Sequence, residues 1–199
     1  MSGRSVVSIN AGSSSIKVAL FEERDGELHR AASGRLEGIG TAPRLTLKDA
    51  TGAIIADRRW DDGAGLTHEA LLDELWISAG EVLKLNTVAA IGHRVVHGGS
   101  RFIAPVRVDA RVLEALDALC PLAPLHQPHN LAAIRVVARL APHVPQIACF
   151  DTAFHHAMPS AATQLPLPRA LTDKGIRRYG FHGISYQYVA GKLREIAPA

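Results

Sequence analysis

Apolar and polar residues alternate through the first sixty positions, and this pattern constrains the fold more than any other feature of the sequence. Glycine-containing turns separate the alternating runs, which contain Val7, Ile9, Ile16, Val18, Leu20, Leu45, Leu47, Ile54 and Ile55. Such a period of two is typical of strands with one buried face. The chain is therefore expected to open with an antiparallel or mixed sheet.

The period changes near Thr67, a suitable N-cap for a helix. The apolar positions that follow fit one helical face: Ala70, Leu71, Leu75, Ile77 and Val82. Downstream, the pattern predicts a buried strand at 88–91, a helix from Asp109 to about Cys120, a helix capped by Asn130 and ending near Ala141, and a strand at 146–150. Strands that alternate with helices predict an α/β layer.

The last segment has a helical apolar stripe formed by Tyr186, Val189, Leu193 and Ile196. The sequence stops at Ala199, so nothing after it can cover this stripe. We therefore expect the sequence to be cut from a larger fold.

Composition narrows the class of protein. The 199 residues suffice for one to two domains, and 47% hydrophobic with 21% charged residues is ordinary for a globular chain. A net charge of +3 with scattered arginines does not indicate a nucleic-acid partner. Two cysteines without CxxC spacing predict neither a disulfide framework nor a thiolate zinc site, and no stretch approaches the ~18 apolar residues of a membrane span. A cytoplasmic protein with no membrane partner is expected.

The segment from Asn10 to Lys17 is the strongest local signal for a binding site. Gly12 and three serines lie between two strands, where small residues let backbone N–H groups approach an anion, and Lys17 adds positive charge. A Walker loop is rejected because a strand, not a helix, follows Lys17. The segment is either a phosphate-binding hairpin, with Asn10 placed to hold a metal-bound water, or a plain serine-rich turn.

Two strand ends carry further candidates. Arg94 leads into Gly98 and Gly99, which suits bidentate capture of a carboxylate or phosphate, although a structural ion pair is the alternative. Asp151 directly follows an apolar strand, where α/β folds place ligands, although an aspartate there also suits a turn.

Histidines supply the other candidates. His126 lies just before the predicted helix N-terminus and can face an anion, whereas His129 is expected to bond the loop backbone. His182 stands between Gly180 and Gly183, which are expected to free the backbone and aim the imidazole into a cleft; the alternative is a turn that leads into a helix.

Four segments together resemble the acetate kinase family: Asn10–Ser15, Gly92–Gly99, Phe150–His155 and Arg178–Gly183. The resemblance extends over nearly the whole sequence but covers only the N-terminal half of the family's usual length. It implies an α/β fold like that of actin and sugar kinases, a ribonuclease H-like mixed sheet flanked by helices. Residues 1–152 would form the first domain, with the phosphate and acyl sites, and residues 153–199 would begin a truncated second domain.

The resemblance also implies site roles. Asn10 would position Mg²⁺; Ser13, Ser15 and Lys17 would bind the phosphates of ATP or ADP. Arg94 would bind the substrate carboxylate, Val96 and Leu125 would line the acyl pocket, and His126 would lie near the transferred phosphoryl group. Asp151 would act at the metal and acceptor, and His182 would stabilise the transition state. The family forms homodimers.

Acetate phosphorylation by ATP is therefore the predicted reaction, catalysed by a protein of which this sequence is the N-terminal part. Three alternatives remain at this point. Propionate differs from acetate by one methylene, which an apolar pocket discriminates by only ~1–3 kcal/mol. The half-length chain could instead be a non-catalytic anion-binding module. A metal hydrolase built on His93 and His97 is the third, although the valine-rich context favours a strand over the helix that would pair them.

Overall fold

One mixed sheet of eight strands organises the chain. The computed structural model describes residues 4–61, 65–82 and 88–197. The strands are β1 (Ser5–Ala11), β2 (Ser15–Arg24), β3 (Glu27–Glu37), β4 (Arg44–Asp49), β5 (Ile54–Arg59), β6 (Ala90–Val95), β7 (Val106–Arg107) and β8 (Gln146–Phe150). Their order across the sheet is β5-β4-β3-β2-β1-β6-β8-β7. The predicted α/β layer with a mixed sheet is confirmed.

Strands β1 to β5 form an antiparallel meander, and β1, β6 and β8 pair in parallel. The alternating pattern predicted the first part, except that β3 was not recognised between β2 and β4. β3 begins with four exposed residues, so only its second half has a buried face. Parallel pairing places the carboxyl ends of three strands at one edge of the sheet, where ligands bind in α/β folds.

The helices are α1 (His68–Val82), α2 (Ala110–Asp117), α3 (Gln127–Leu140), α4 (Ser160–Thr163), α5 (Arg169–Thr172) and α6 (Gly183–Ile196). Thr67 Oγ1 accepts from the N–H of Ala70, and Asp109 Oδ1 accepts from that of Val112, so both predicted helix starts are confirmed. Ile77 is 68% exposed, which contradicts its predicted place on the buried face of α1, and the side chain of Val82 lies outside the described part.

α3 begins three residues earlier than predicted, and Asn130 is not its cap. Proline lies at the start of this helix, where its missing N–H costs nothing. Asn130 is instead buried within the first turns of the helix, and its side chain bonds to two strands. From this buried position Asn130 holds the ends of β1 and β6 together, which we call its bracing role.

The main core lies between one face of the sheet and helices α1 and α3. Ile9, Ile16, Leu47 and Ile91 from the strands pack in the same cluster as Leu71 of α1. A second cluster around Phe102, Leu116 and Phe150 continues it beneath α2. The opposite face of β1, β6 and β8 remains open as a cleft.

His93 lies on the core face of β6 and is fully buried. Gln146 Nε2 donates to its Nε2 (2.8 Å) and to Ile134 O, while the Gln146 side-chain oxygen accepts from Ala138 N. His93 Nδ1 has no partner among the described residues. Burial lowers the pKa of His93 to about 4, because a charged imidazole here would lose its hydration.

Candidate active site

Three polar side chains meet at the carboxyl ends of the parallel strands. Asn10 lies on β1, Arg94 on β6, and Asp151 follows β8 directly. The register pairs Ile9 with His93 and Arg94 with Cys149, so the three chain ends lie side by side. The three groups therefore share one edge of the sheet.

Arg94 joins the other two side chains. Its Nε and Nη2 both donate to Asp151 Oδ2, at 3.0 and 2.6 Å, and its Nη1 donates to Asn10 Oδ1 at 3.1 Å. The Asp151 side chain is 2% exposed, whereas that of Arg94 is 29% exposed and reaches solvent. The ion pair offered as the alternative for Arg94 is therefore present, in a form that leaves part of the guanidinium open to the cleft.

A cleft of about 580 Å³ lies over these side chains. Asn10, Arg94 and Asp151 line it together with His182 and Ser185 at the start of α6. His182 thus faces the same space as the strand-end groups. Four groups that are far apart in sequence converge on one cavity.

The backbone around His182 differs from the expectation in one respect. The left-handed conformation belongs to His182 itself, with φ of 58°, and not to the glycines beside it. Gly183 is required by close packing: its N–H donates to Asp151 O at 2.8 Å, and an added Cβ would lie 2.2 Å from that oxygen. The glycine therefore fastens the start of α6 to the end of β8.

Cys149 also lines the cleft, next to Arg94 on the neighbouring strand. Burial raises the pKa of the Cys149 thiol, because its thiolate form would lose hydration. Nucleophilic chemistry at this cysteine is therefore not favoured.

Hydrogen bonds occupy most of the carbonyl groups of the serine hairpin between β1 and β2. Ala11 O, Gly12 O and Ser14 O accept from Asn130 Nδ2, His68 Nε2 and Ile39 N. Within residues 4–61, 65–82 and 88–197, the N–H groups of Ser13 and Ser14 donate to no acceptor. Unpaired N–H groups suit an anion, and they favour the phosphate-binding interpretation over a plain turn.

The side chains of the hairpin lie beside the cleft rather than in its wall. Ser13 is exposed and Ser15 half-buried, and neither lines the 580 Å³ cavity. Lys17 is exposed and pairs with Asn10 across β1 and β2, so both side chains leave the sheet on the same face. β2 continues through Lys17 as a strand, which confirms the rejection of a Walker loop.

The remaining candidates do not join the cleft. Val96 is buried after β6, whereas Leu125 is 73% exposed and His126 is exposed at the start of α3; none of them lines the cavity. His129 does not bond the loop backbone as expected: its ring stacks on His68 with centroids 4.3 Å apart.

Buried amide and hydroxyl groups that the sequence did not reveal hold the glycine-rich segment after β6. Asn130 Oδ1 accepts from Val96 N (2.9 Å), Gln127 Oε1 from His97 N (3.1 Å) and Thr152 Oγ1 from Gly98 N (3.0 Å). Asn130 also donates to Ala11 O, so one side chain connects the ends of β1 and β6. Only the fold reveals these roles, because polar residues on a helix look solvated in sequence.

His93 and His97 do not form a metal site. His93 is enclosed in the core, and His97 Nδ1 accepts from Gly99 N while its ring meets the edge of Tyr179. Burial lowers the pKa of His97 as well. No group of three or more His, Cys, Asp or Glu in the described ranges could hold a metal ion by itself. None of the described helices is long and apolar enough to cross a membrane.

Known proteins match this arrangement closely. An acetate kinase from Rhodopseudomonas palustris is 45% identical over 193 residues, and one from Rhizobium meliloti is 46% identical over 191; each match covers 95% of this chain and 48% of the relative. The chain therefore spans about half the length of the curated relatives it matches.

Solved structures give the same result. A propionate kinase from Francisella tularensis is 35% identical with a TM-score of 0.85, and the acetate kinase of Porphyromonas gingivalis is 34% identical with a TM-score of 0.80. Each comparison covers 97% of this chain and 49% of the other. The sequence model of the Acetokinase family matches residues 5–198, and with these relatives it shows that the chain belongs to the Acetokinase family.

Proposed function

We propose that the protein to which this chain contributes transfers a phosphoryl group reversibly between ATP and acetate, giving ADP and acetyl phosphate. The convergence of Asn10, Arg94, Asp151 and His182 on one cleft carries the proposal. The identity to curated acetate kinases supports it. Because the chain spans about half of those relatives, the activity belongs to the whole protein.

Arg94 binds the carboxylate of the substrate in this proposal. Its side chain reaches solvent in the cleft while its bonds to Asn10 and Asp151 fix its orientation. A planar guanidinium suits a carboxylate, which it can bind through two parallel hydrogen bonds. Acetate is already ionised at neutral pH, so no general base is needed to generate the nucleophile. Asp151 therefore orients Arg94 and the acceptor side of the site rather than removing a proton.

The phosphate end of the nucleotide lies at the serine hairpin. The unpaired N–H groups of Ser13 and Ser14 would donate to phosphate oxygens, with the hydroxyl of Ser15 and the charge of Lys17 beside them. His182 would donate to the equatorial oxygens of the transferred phosphoryl group, where charge is concentrated in the transition state. In this proposal His126 lies near the transferred phosphoryl group.

Magnesium is the cation that fits this donor set. Asn10 and Asp151 offer an amide and a carboxylate oxygen, and Mg²⁺ binds few protein oxygens while keeping water and phosphate ligands. When bound, it would neutralise charge on the phosphoryl oxygens. Asn10 would hold it together with Asp151 Oδ1, the carboxylate oxygen to which Arg94 does not donate.

The organisation of the whole protein follows the same proposal. Residues 1–152 make up the first domain, residues 153–199 begin the second, and the complete protein is a cytoplasmic homodimer. α6 exposes Tyr186, Val189, Leu193 and Ile196, each more than half accessible, as the apolar stripe in the sequence predicted. The rest of the second domain would cover this face.

Propionate is the second candidate substrate, because the Francisella tularensis propionate kinase is among the similar structures. Val96 and Leu125 are the residues assigned to the acyl pocket. One extra methylene changes binding by only ~1–3 kcal/mol, so both acids are expected to react at different rates.

The reaction is tested on the complete protein with ATP, Mg²⁺ and acetate or propionate, with hydroxylamine trapping the acyl phosphate. Acyl hydroxamate is expected. Arg94→Ala should raise KM for acetate about ten-fold or more and lower kcat, since a charge-assisted hydrogen bond contributes ~1.5–3 kcal/mol. Asp151→Asn should nearly abolish turnover, while Arg111→Gln, an exposed arginine on α2, should change neither constant.

Binding is tested separately on the 199-residue chain. Acetyl phosphate should shift the amide resonances of Gly92 and Ser185, which line the cleft, and Arg94→Ala should remove the shifts. Unchanged KM and kcat in Arg94→Ala would refute the substrate assignment. Binding without any hydroxamate from the complete protein would instead favour the non-catalytic module.

A further inference from the structure

We propose that a second anion site, separate from the cleft, binds a phosphoryl group at the back of the segment that carries His182. A cavity of about 230 Å³ lies there, and we call it the rear pocket. Its polar lining is Ser100, Thr152, His155, His156, Arg177 and Arg178. No residue lines both the rear pocket and the cleft. This inference does not depend on the proposed kinase reaction.

Charge is the first reason to assign an anion. Two guanidinium groups line the rear pocket, and none of the described residues that line it is an aspartate or glutamate. Neither Arg177 nor Arg178 forms an ion pair with any carboxylate in the described ranges. Two adjacent guanidinium groups without a carboxylate partner match the charge of a dianion.

A buried hydroxyl supplies the second, independent reason. Thr152 is 4% exposed, and its Oγ1 accepts the N–H of Gly98 at 3.0 Å. The hydroxyl proton is therefore directed elsewhere, and it reaches no acceptor within the described residues. An anion oxygen in the rear pocket would satisfy it, because a buried donor without an acceptor is costly.

The Arg177 guanidinium and the backbone of Arg178 are held in place. The guanidinium of Arg177 lies 5.4 Å from the ring centroid of Tyr179, and that ring in turn contacts the buried ring of His97 at 4.5 Å. The backbone N–H of Arg178 donates to Thr163 O at 2.8 Å. A preorganised cation loses less conformational entropy when it binds an anion.

The imidazoles favour phosphate over other oxyanions. His155 Nε2 lies 2.9 Å from Phe181 O and His156 Nδ1 lies 2.8 Å from Ala153 O, so each donates one ring N–H to a carbonyl. The second nitrogen of each neutral ring is then an acceptor. Phosphate near pH 7 still carries a P–OH group that can donate to such a nitrogen, whereas sulfate has no proton to donate.

The test is a titration of the 199-residue chain with inorganic phosphate, at pH 7.0 and constant ionic strength, followed through amide resonances. The resonances of Gly99 and Gly180, which line the rear pocket, should shift and saturate. Phosphate should bind at least about five-fold more tightly than sulfate. Shifts that stay linear, or equal binding of the two ions, overturn the phosphoryl assignment.

Charge variants locate the site. The double variant Arg177→Gln/Arg178→Gln should raise Kd at least about ten-fold, because each lost charged donor weakens binding. Arg111→Gln removes an equivalent exposed charge outside the pocket and should change Kd less than two-fold. An unchanged Kd in the double variant refutes the proposal.

Two further variants separate this proposal from folding defects and from the cleft. Ser100→Ala alters one exposed hydroxyl and should weaken binding about three-fold without affecting folding. Arg94→Ala should leave the phosphate shifts at Gly99 and Gly180 intact even where it abolishes those at Gly92. If Arg94→Ala removes both sets, one site accounts for all binding and the rear pocket is not a separate site.

Discussion

The pH dependence of folding should depend on His93. Burial lowers the pKa of this side chain to about 4, whereas an unfolded histidine titrates near 6.5. Between these values the unfolded chain binds a proton that the folded chain excludes, so the free energy of unfolding falls as the pH falls. The stabilisation that His93 gives the folded chain is complete above about pH 6.5 and is lost progressively as the pH falls to about 4.

The size of this loss of stability follows from the difference between the pKa of His93 in the folded and unfolded chains. The difference of roughly 2.5 pKa units corresponds to ~3 kcal/mol in total, of which ~2.5 kcal/mol is lost by pH 4.5. The structural cause is the enclosure of the ring between β6, β8 and α3, with Nδ1 unpartnered. Because Nε2 accepts from Gln146, the neutral ring carries its hydrogen at Nδ1; a second proton at Nε2 would displace that hydrogen bond and place an unhydrated charge in the core.

The assay is urea denaturation of the 199-residue chain at pH 7.5 and pH 4.5, followed by far-UV circular dichroism. His93→Leu should reduce the pH-dependent loss of stability by ~2.5 kcal/mol relative to the parent chain. His97, whose pKa burial also lowers, keeps part of the acid sensitivity in that variant. The control is His143→Leu at an exposed site, which should leave the pH dependence unchanged. Equal losses in the parent and His93→Leu chains would refute the assignment.

Two further substitutions test how the strand ends are held. Asn130→Ala should lower the free energy of unfolding by ~2–4 kcal/mol in urea, because Val96 N and Ala11 O lose their partner inside the protein. Arg135→Ala on the same helix breaks only an exposed ion pair and should cost under ~1 kcal/mol; similar losses for both would contradict the bracing role. Gly183→Ala should destabilise by ~1–3 kcal/mol and speed hydrogen exchange in α6, because its Cβ would lie 2.2 Å from a backbone oxygen. Gly191→Ala in the same helix meets nothing within 4 Å and should stabilise by up to ~1 kcal/mol, so matching signs for the two glycines would contradict the packing explanation.

Much of the fold was predictable because it depends on local patterns. Alternation placed β1, β2 and β4, while the expected run at Ile54 and Ile55 coincides with β5 although both side chains are exposed; the caps Thr67 and Asp109 placed the starts of α1 and α2. The sequence analysis missed β3 because half of this strand has no buried face, so its apolar and polar residues do not alternate along its whole length. The start of α3 was wrong because Asn130 suits an N-cap by residue type, although the helix had already begun at Gln127.

The candidate site was predictable in its members but not in its connections. The sequence placed Asn10, Arg94, Asp151 and His182 next to glycines or strand ends, and all four line the cleft. The roles assigned to these four residues remain predictions, as do those of Ser13, Ser15, Lys17, Val96, Leu125 and His126. Gly183 was expected to supply conformational freedom, yet the left-handed residue is His182, and the glycine is needed for contact with Asp151.

The sequence by itself determined which chemical groups are available: a hairpin rich in serine and glycine, a guanidinium, a carboxylate and an imidazole, each beside a turn or strand end. Residue type and local periodicity carry that information, because they act over a few neighbouring positions. The tertiary structure alone decided that Arg94 bonds to both Asp151 and Asn10, that Asn130 connects β1 to β6, and that His93 is held without a charge. These outcomes depend on pairing between strands and on burial, which join residues more than thirty positions apart.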